Sequence, residues 1–216
     1  MSWLRTLSNV LIVVGCLIVV DAVLTVVWQE PLSALYSEIR QQRLEADLEQ
    51  ADPTADELRA ARRLPSRERL AYLAKALRKR AEVGEPLGKI RIPELGVDWV
   101  MVQGADRASL RKGPAHYPDT PLPGSRGTVG VAGHRTTYGA PFRDVDRLRA
   151  GDRIELRMPY AKFVYRVRRS QVVAPRAVHV LRGRDRDQVV LSACHPKFSA
   201  AKRLVVFATL DEVEPV

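Results

Sequence analysis

Cysteine is almost absent from this chain, with two copies among 216 residues. Cys16 lies inside a long apolar segment, so Cys194 has no partner for a disulfide in the polar part of the chain. The sequence therefore excludes a disulfide-stabilised scaffold. An isolated thiol is most often a small buried side chain, and only the neighbours of Cys194 indicate whether it does chemistry.

Signatures of nucleic-acid and metal binding are also missing. The formal net charge of +10 would suit an anionic polymer, but Lys and Arg are dispersed from Arg40 to Arg203 without a basic run interleaved with aromatics. The four histidines and the outer cysteine lack the short paired spacing of zinc sites. We predict no nucleic-acid partner, no metal and no cofactor.

One long hydrophobic run is present, from Leu7 to Trp28. Its length suits a membrane-spanning helix, Trp3 and Trp28 lie where interfacial aromatics belong, and Asp21 is close enough to one end to reach the interface. No small-x-small cleavage site directly follows, which favours an uncleaved signal anchor over a signal peptide. Residues 1–30 are predicted to form a short cytoplasmic N-terminus and this anchor.

Residues 31–83 have a different texture, rich in Glu, Arg, Gln, Leu and Ala. Apolar residues at helical spacing, interrupted near Asp52-Pro53 and at Pro65, predict a helical stalk. Such a stalk could pack on the following domain, pair with another copy, or hold that domain away from the bilayer.

From residue 84 to 216 the pattern is that of a β domain. Short Val- and Ile-rich segments alternate with Gly, Pro and Asp, and closing such strands into a barrel removes exposed edges. Two short helices fit between them, at Ala108 to Lys112 and Phe142 to Leu148. The predicted strands are Leu87–Ile92, Val97–Gln103, Thr128–Ala132, Asp152–Met158, Phe163–Val173, Gln188–Ala193 and Leu204–Leu210, with an eighth around Ala177–Leu181.

Three residues of the β domain have the chemistry of a thiol transacylase. Cys194 supplies a nucleophile, His134 a proton shuttle, and Arg203 a cation for an oxyanion or a substrate backbone. A thiolate is the reactive form, and a nearby cation favours it. Taken singly, His134 and Arg203 would be read as an ordinary loop histidine and a solvated strand residue.

These residues and their flanks resemble the sortases, the cysteine transpeptidases of Gram-positive cell surfaces. The matching pieces keep their order over roughly residues 84 to 213, and the histidine and cysteine segments look most like class E, the actinobacterial branch. The matching segments are Leu87-Gly-Lys-Ile-Arg-Ile-Pro-Glu-Leu-Gly-Val97, Gly113-Pro-Ala-His-Tyr117, Gly133-His-Arg-Thr-Thr-Tyr-Gly-Ala-Pro-Phe142 and Cys194-His-Pro196. The resemblance implies a mostly β fold, a closed sortase-type barrel of about eight strands with short helices, and catalytic roles for Cys194, His134 and Arg203.

The cysteine segment departs from the family's Thr-Leu-x-Thr-Cys signature. Here it reads Val190-Leu-Ser-Ala-Cys194, so both threonines are missing. The resemblance implies a substrate groove bordered by Tyr117, His116, Ala193 and Ser192. His195 is expected to be structural, because adjacent strand residues point to opposite faces.

The resemblance further implies a reaction and a location. The enzyme would cleave a Leu-Ala-x-Thr-Gly or Leu-Pro-x-Thr-Gly signal of surface proteins between Thr and Gly, and transfer the acyl group to a peptidoglycan-precursor amine. Lysine-dependent pilin polymerisation and a catalytically weak binding protein are the alternatives. The resemblance places the β domain outside a single-pass cell-membrane anchor, although Arg5 is the only basic residue before the span and positive-inside counting alone gives the opposite orientation.

A blocking lid of the kind found in pilus-building sortases would need an aromatic after Asp52-Pro53. Thr54 follows instead, so this segment is predicted to be a turn.

Overall fold

The computed structural model describes residues 2–28, 31–183 and 186–215. Eight strands form a closed barrel in the order β1-β2-β3-β4-β7-β8-β6-β5, and β5 pairs with β1 to complete it. The predicted closed barrel with short helices is therefore confirmed. The strands are β1 (Pro86–Ile92), β2 (Val97–Gln103), β3 (Ala115–His116), β4 (Thr128–Gly133), β5 (Arg153–Met158), β6 (Ala161–Val173), β7 (Gln188–His195) and β8 (Lys202–Pro215).

Alternation along the strands separates an apolar interior from the outer face. On β7 the side chains of Val189, Leu191 and Ala193 belong to the core, as do Leu204 and Val206 on β8. Side chains at intervening positions point outward, because successive strand residues face opposite sides. Cys194 and Arg203 are at such outward positions.

Most neighbouring strands run antiparallel, but β2 with β3 and β4 with β7 are parallel. The β4–β7 ladder runs from Thr128 opposite Gln188 to Gly133 opposite Ala193. Parallel neighbours bring their carboxyl ends to the same edge of the sheet. The chain next reaches His134 after β4 and Cys194 within β7, so the topology brings these two distant residues to one place.

The N-terminal helix α1 (Ser2–Trp28) is long and apolar. Its stretch Trp3–Ala22 has a mean hydropathy of 2.0 and suffices in length and composition to cross a membrane, a test that a signal sequence would also pass. Gln29 and Glu30, where the predicted anchor ends, lie outside the described residues.

The predicted stalk consists of helices that pack on the barrel. Within α2 (Pro31–Asp47), the Gln41 amide accepts from Val100 N and donates to the Lys112 carbonyl, at 2.6 and 2.8 Å. Leu44 is buried against Val100 and Ala115. Of the three arrangements left open by the sequence, the structure shows packing on the domain.

Two further helices, α3 (Ala55–Ala61) and α4 (Ser66–Arg80), extend this packing. Thr54 begins α3 with a capping box to Glu57, so Asp52-Pro53-Thr54 is a helix entry. The buried face of α4, with Leu73, Ala74 and Leu77, joins the barrel core.

The eighth predicted strand is wrong. Val178–Leu181 forms a 3₁₀ helix, and the missing strand is β3, which has two residues between β2 and β4. Two residues are too few to show a period of two. Ala177–Leu181 is mostly apolar without being a strand, and its apolar side chains line a cavity together with Tyr117. The short helix α5 (Arg107–Leu110) and a 3₁₀ turn at Val145–Arg147 lie where the two short helices were predicted.

Candidate active site

The outer face of β4, β7 and β8 carries the three predicted catalytic residues at one edge of the sheet. Cys194 is directly opposite Arg203 in the antiparallel ladder of β7 and β8. Directly opposed residues of an antiparallel pair point to the same face, with Cβ atoms about 5 Å apart. His134 directly follows the last ladder pair of β4 and β7, Gly133 with Ala193, and is therefore at the level of Cys194.

Small side chains form the floor that leads to this edge. Gly130 and Ala132 on β4 lie beside Val190 and Ser192 on β7. A Cβ atom at Gly130 would come within 2.9 Å of the Tyr117 ring and 3.0 Å of Leu181. Glycine is needed at this position because both side chains lie directly over the strand.

A cavity of about 100 Å³ opens over this floor. Tyr117, Ser192 and Arg203 contribute polar atoms, and Val178 and Leu181 line it from the segment that joins β6 to β7. The cavity therefore connects the predicted substrate-binding residues Tyr117 and Ser192 with Arg203 beside Cys194.

His134 is half-buried, and its ring is held from one side. Its Nδ1 is 3.4 Å from the Thr137 hydroxyl, and its ring centroid is 5.0 Å from that of Tyr138. Its Nε2 atom is buried and has no hydrogen-bond partner among the described residues. A buried imidazole nitrogen without a partner is suited to exchanging a proton with a thiol or with a bound amine.

The pKa of His134 lies below its ordinary value of 6.5. Burial is the main cause, because it disfavours the charged imidazolium, and the positive charge of Arg111 adds to it. Arg111 also lies over the Tyr138 ring, with 5.5 Å from its guanidinium carbon to the ring centroid. The neutral imidazole is therefore the dominant form of His134 at neutral pH.

Arg203 is oriented by its own hairpin. Its Nη1 donates to the carbonyl oxygens of Ala200 and Lys202, each at 3.0 Å. These bonds use one nitrogen of the guanidinium and leave its other donors for an oxyanion or a substrate carbonyl. Because a guanidinium stays charged at all physiological pH values, the cation beside Cys194 is permanent.

His116 does not border the groove. It is fully buried, its Nδ1 lies 2.8 Å from Gln103 Oε1, and its Nε2 lies 3.0 Å from the Thr120 hydroxyl and 3.2 Å from the Pro121 carbonyl oxygen. Gly130 N in turn donates to the Thr120 oxygen at 3.1 Å. The structure thus corrects the predicted substrate contact of His116, because both ring nitrogens are used to attach the Tyr117 segment to the groove floor.

Burial lowers the pKa of His116 to about 4, and the charge of Arg78 contributes in the same direction. The ring is therefore neutral at physiological pH, and a neutral imidazole has one donating and one accepting nitrogen.

Ala193 is a second correction. It is 3% exposed and its side chain belongs to the barrel core, because it precedes the outward-facing Cys194 on β7. The side chain therefore packs away from the groove.

The sequence did not single out Arg135 as a site residue. Its side chain is only 2% exposed and lies behind the catalytic edge. It ion-pairs with Asp146 at 2.7 Å and donates to the Arg143 carbonyl at 3.2 Å. The only sequence signal was its position between His134 and Thr136, since an arginine is normally read as a solvated residue.

The same loop approaches the core closely at its start. A Cβ atom at Gly133 would come within 2.4 Å of Phe142, a fully buried ring. Phe142 N also donates to the His134 carbonyl at 3.0 Å. The loop that carries His134 is therefore closed at its base and packed on the barrel.

Together, these residues place a thiol, an imidazole and a permanent cation around one groove. The thiol can attack a carbonyl, the imidazole can transfer a proton, and the guanidinium can stabilise the resulting oxyanion. The site is therefore suited to acyl transfer through a thioester.

Comparison with known proteins agrees with this chemistry. The chain is 29% identical over 131 residues to Sortase D of Bacillus subtilis (strain 168), covering 58% of this chain and 64% of the relative. It is 30% identical over 151 residues to Sortase SrtE1 of Streptomyces coelicolor, covering 62% of this chain and 43% of the relative. The chain thus spans less than two thirds of the length of these relatives.

Solved structures share the barrel. A sortase C of Clostridium perfringens, solved with the C-terminal cell wall sorting motif, superposes with a TM-score of 0.59 at 27% identity. The superposition covers 69% of this chain and 77% of that one. A family model described as a sortase domain matches residues 90–211, which include Cys194, His134 and Arg203. The chain therefore belongs to the sortase family.

Proposed function

We propose that this protein is a membrane-anchored cysteine transpeptidase in which Cys194 is the nucleophile, His134 the proton shuttle and Arg203 the oxyanion or backbone ligand. The observation that carries the proposal is the cross-strand pairing of Cys194 with Arg203, at the edge where β4 delivers His134. The relatives named above are sortases, which supports a cysteine transpeptidase here.

The first half-reaction forms a thioester. The Cys194 thiol loses its proton to neutral His134, and the thiolate attacks the Thr carbonyl of a sorting signal. Arg203 stabilises the oxyanion of the tetrahedral intermediate. The carbon–nitrogen bond to Gly then breaks, and the His134 imidazolium donates its proton to the departing amine.

The second half-reaction reverses these steps with a new amine. An incoming amine attacks the thioester carbonyl, His134 takes the excess proton from nitrogen, and the carbon–sulfur bond breaks. Cys194 regains its proton from His134, and the product is a new amide. A peptidoglycan-precursor amine is the proposed acceptor, and a lysine of another protein would use the same steps.

The proposed substrate is a surface protein with a Leu-Ala-x-Thr-Gly or Leu-Pro-x-Thr-Gly signal. A related sortase C was solved with a cell wall sorting motif, which supports a peptide of this class here. The cavity of Tyr117, Ser192 and Arg203 lies directly beside Cys194 on the same face. It is therefore the proposed site for the residues before the cleaved bond.

The proposed location is the cell membrane, with α1 as an uncleaved single-pass anchor and the barrel outside the cell. The apolar stretch Trp3–Ala22 supports the anchor. N-terminal sequencing of the mature protein should return Met1 or Ser2, and the protein should stay with membranes until detergent is added. A mature N-terminus beyond Trp28 would instead identify a cleaved signal peptide.

Acyl-enzyme capture tests the activity. The full chain in detergent micelles is incubated with a sorting peptide and without an amine acceptor, and its intact mass is measured. We expect an increase equal to the acyl fragment up to Thr, which hydroxylamine removes, and no increase in Cys194→Ala. A folded wild-type chain that binds the peptide without this adduct would indicate a catalytically weak binding protein.

A further inference from the structure

A partly buried side-chain contact joins the residue after His134 to the residue after Cys194. Nη1 of Arg135 lies 3.4 Å from Nδ1 of His195. Arg135 is 2% exposed and His195 is half-buried. Because adjacent strand residues point to opposite faces, His195 faces away from the side of the sheet that carries Cys194. The proposed reaction assigns no role to either residue.

The chemistry of the contact defines its direction. A guanidinium has only donors, so in this hydrogen bond Nδ1 of His195 is the acceptor. Nε and Nη2 of Arg135 donate to the Arg143 carbonyl at 3.2 Å, and Nη2 ion-pairs with Asp146 at 2.7 Å. Arg135 is therefore fixed in the loop before it reaches across to β7.

This contact lies just where the backbone ladder stops. The last pair between β4 and β7 is Gly133 with Ala193. Beyond this pair, His134 and Cys194 are not connected to each other by the β4–β7 ladder. The contact between Arg135 and His195, one residue further along each segment, limits how far the two strand ends can separate.

A second tie lies at the surface, where Lys197 Nζ contacts Asp144 at 2.7 Å. Both side chains are about one third exposed, and ion pairs at such positions contribute little because water screens them. The Arg135–His195 contact is less exposed to this competition, because Arg135 is 2% exposed.

We propose that Arg135 and His195 are positioning residues, which hold the His134 imidazole at a fixed distance from the Cys194 thiol. Neither touches the substrate, and their effect acts through the backbone of the two adjacent residues. This inference rests on the proposed roles of Cys194 and His134. A displacement of about 1 Å between reacting groups is enough to cost on the order of 10²-fold in rate.

The primary test compares His195→Leu with His195→Asn. Asn retains an acceptor oxygen near the position of Nδ1, whereas Leu fills space without an acceptor. We expect His195→Leu to lower kcat by about 10- to 100-fold with little change in KM, and His195→Asn to retain most of kcat. Lys197→Met is the matched control, because it removes the surface tie on the same hairpin.

A second measurement separates failure of this inference from failure of the proposed function. Alkylation of Cys194 by iodoacetamide is followed across pH in the wild type, His134→Ala and His195→Leu, after circular dichroism shows that each is folded. The inference is supported if His134→Ala changes the pH profile of alkylation and His195→Leu changes it in the same direction. A profile that depends on His134 but not on His195, or equal kcat losses in His195→Leu and His195→Asn, would overturn the positioning role. A profile independent of His134 would overturn the proposed function instead.

Discussion

Cys194 and Arg203 are cross-strand partners, directly opposed in the antiparallel ladder of β7 and β8. The cation therefore reaches the thiol from a neighbouring strand and not from a flexible loop. Strand pairing fixes the relative positions of their Cα atoms, and the carbonyls of Ala200 and Lys202 orient the guanidinium. Such preorganisation is what makes a charged donor effective in catalysis, because little reorganisation is needed during the reaction.

Substitutions at Arg203 should show whether activity depends on the positive charge or on the planar shape of the guanidinium. Arg203→Lys keeps the positive charge but loses the planar fork, so we expect kcat/KM to fall by roughly 10- to 100-fold. Arg203→Ala should cost about 10²- to 10³-fold. The measurement is peptide cleavage under steady-state conditions, with Lys202→Ala as the control for an adjacent exposed cation. An Arg203→Lys enzyme with wild-type kcat/KM would mean that only a general positive field is needed.

The acidic limb of the pH profile should report the ionisation of His134. Neutral His134 is needed to accept the thiol proton, so kcat/KM should fall as pH drops through its pKa. Because burial and Arg111 lower that pKa from 6.5, the midpoint of the limb should lie below 6.5. Arg111→Gln removes one cause, so the pKa of His134 and the limb should move to higher pH.

The control for this shift is Arg107→Gln, which removes the same charge from an exposed position on α5. Its limb should coincide with that of the wild type. An unchanged limb in Arg111→Gln, or equal shifts in both variants, would contradict a local effect of Arg111 on His134.

Tyr117 should select the second residue of the signal. Its ring lies over Gly130 and lines the cavity with Ser192 and Arg203. A hydroxyl that bonds the amide N–H of Ala would lose this partner with Pro. Leaving such a buried group unpaired costs about 1 to 3 kcal/mol, so the Ala peptide should have a roughly 10- to 100-fold higher kcat/KM.

Tyr117→Phe should narrow this preference, mainly by weakening the Ala peptide. Tyr36→Phe, on the exposed surface of α2, is the control and should discriminate as the wild type does. If Tyr117→Phe discriminates equally well, Tyr117 only packs behind the groove.

The buried ring of His116 should make stability depend on pH. Above 6.5 the ring is neutral in both the folded and the unfolded chain, so its full contribution is present. Below 6.5 the unfolded chain binds a proton, while the folded pKa of about 4 prevents the native protein from doing so. Between pH 6.5 and 4 the free energy of unfolding should therefore fall by about 3 kcal/mol from this residue alone.

Urea unfolding of the full chain in detergent, followed by tryptophan fluorescence at several pH values, measures this effect. His116→Gln should lose most of the slope between pH 6.5 and 5. His179→Gln removes an exposed histidine and should retain that slope. A wild-type slope in His116→Gln would assign the pH dependence to other groups.

The barrel was largely predictable because most strands are long enough to show their alternation. The predicted Phe163–Val173 and Gln188–Ala193 fall within β6 and β7. β3 could not be predicted, because a two-residue strand carries no period and is defined by its neighbours β2 and β4. The packing of α2 on the barrel was equally hidden, since it involves the Gln41 amide meeting the β2 backbone and Leu44 packing against Val100.

The site residues also fall into those that the sequence predicted and those that it did not. Cys194, His134 and Arg203 were predicted from their chemistry and order, and β-ladder register brings them to one edge. His116 was assigned to the groove together with Tyr117 on the basis of the resemblance, but alternation turns the two side chains to opposite sides. Arg135 was missed because sequence gives no sign that a charged residue is buried and paired.

The parallel pairing of β4 and β7 also has a kinetic consequence. Sixty positions separate Gly133 from Ala193, its ladder partner, so the two strands meet only after a long intervening chain has been ordered. Contacts of this kind form slowly because the entropy of loop closure is lost before the contacts are gained. During refolding, the Cys194 thiol should therefore acquire its His134-dependent reactivity only as the barrel closes, which makes alkylation of this residue a clock for the last long-range step of folding.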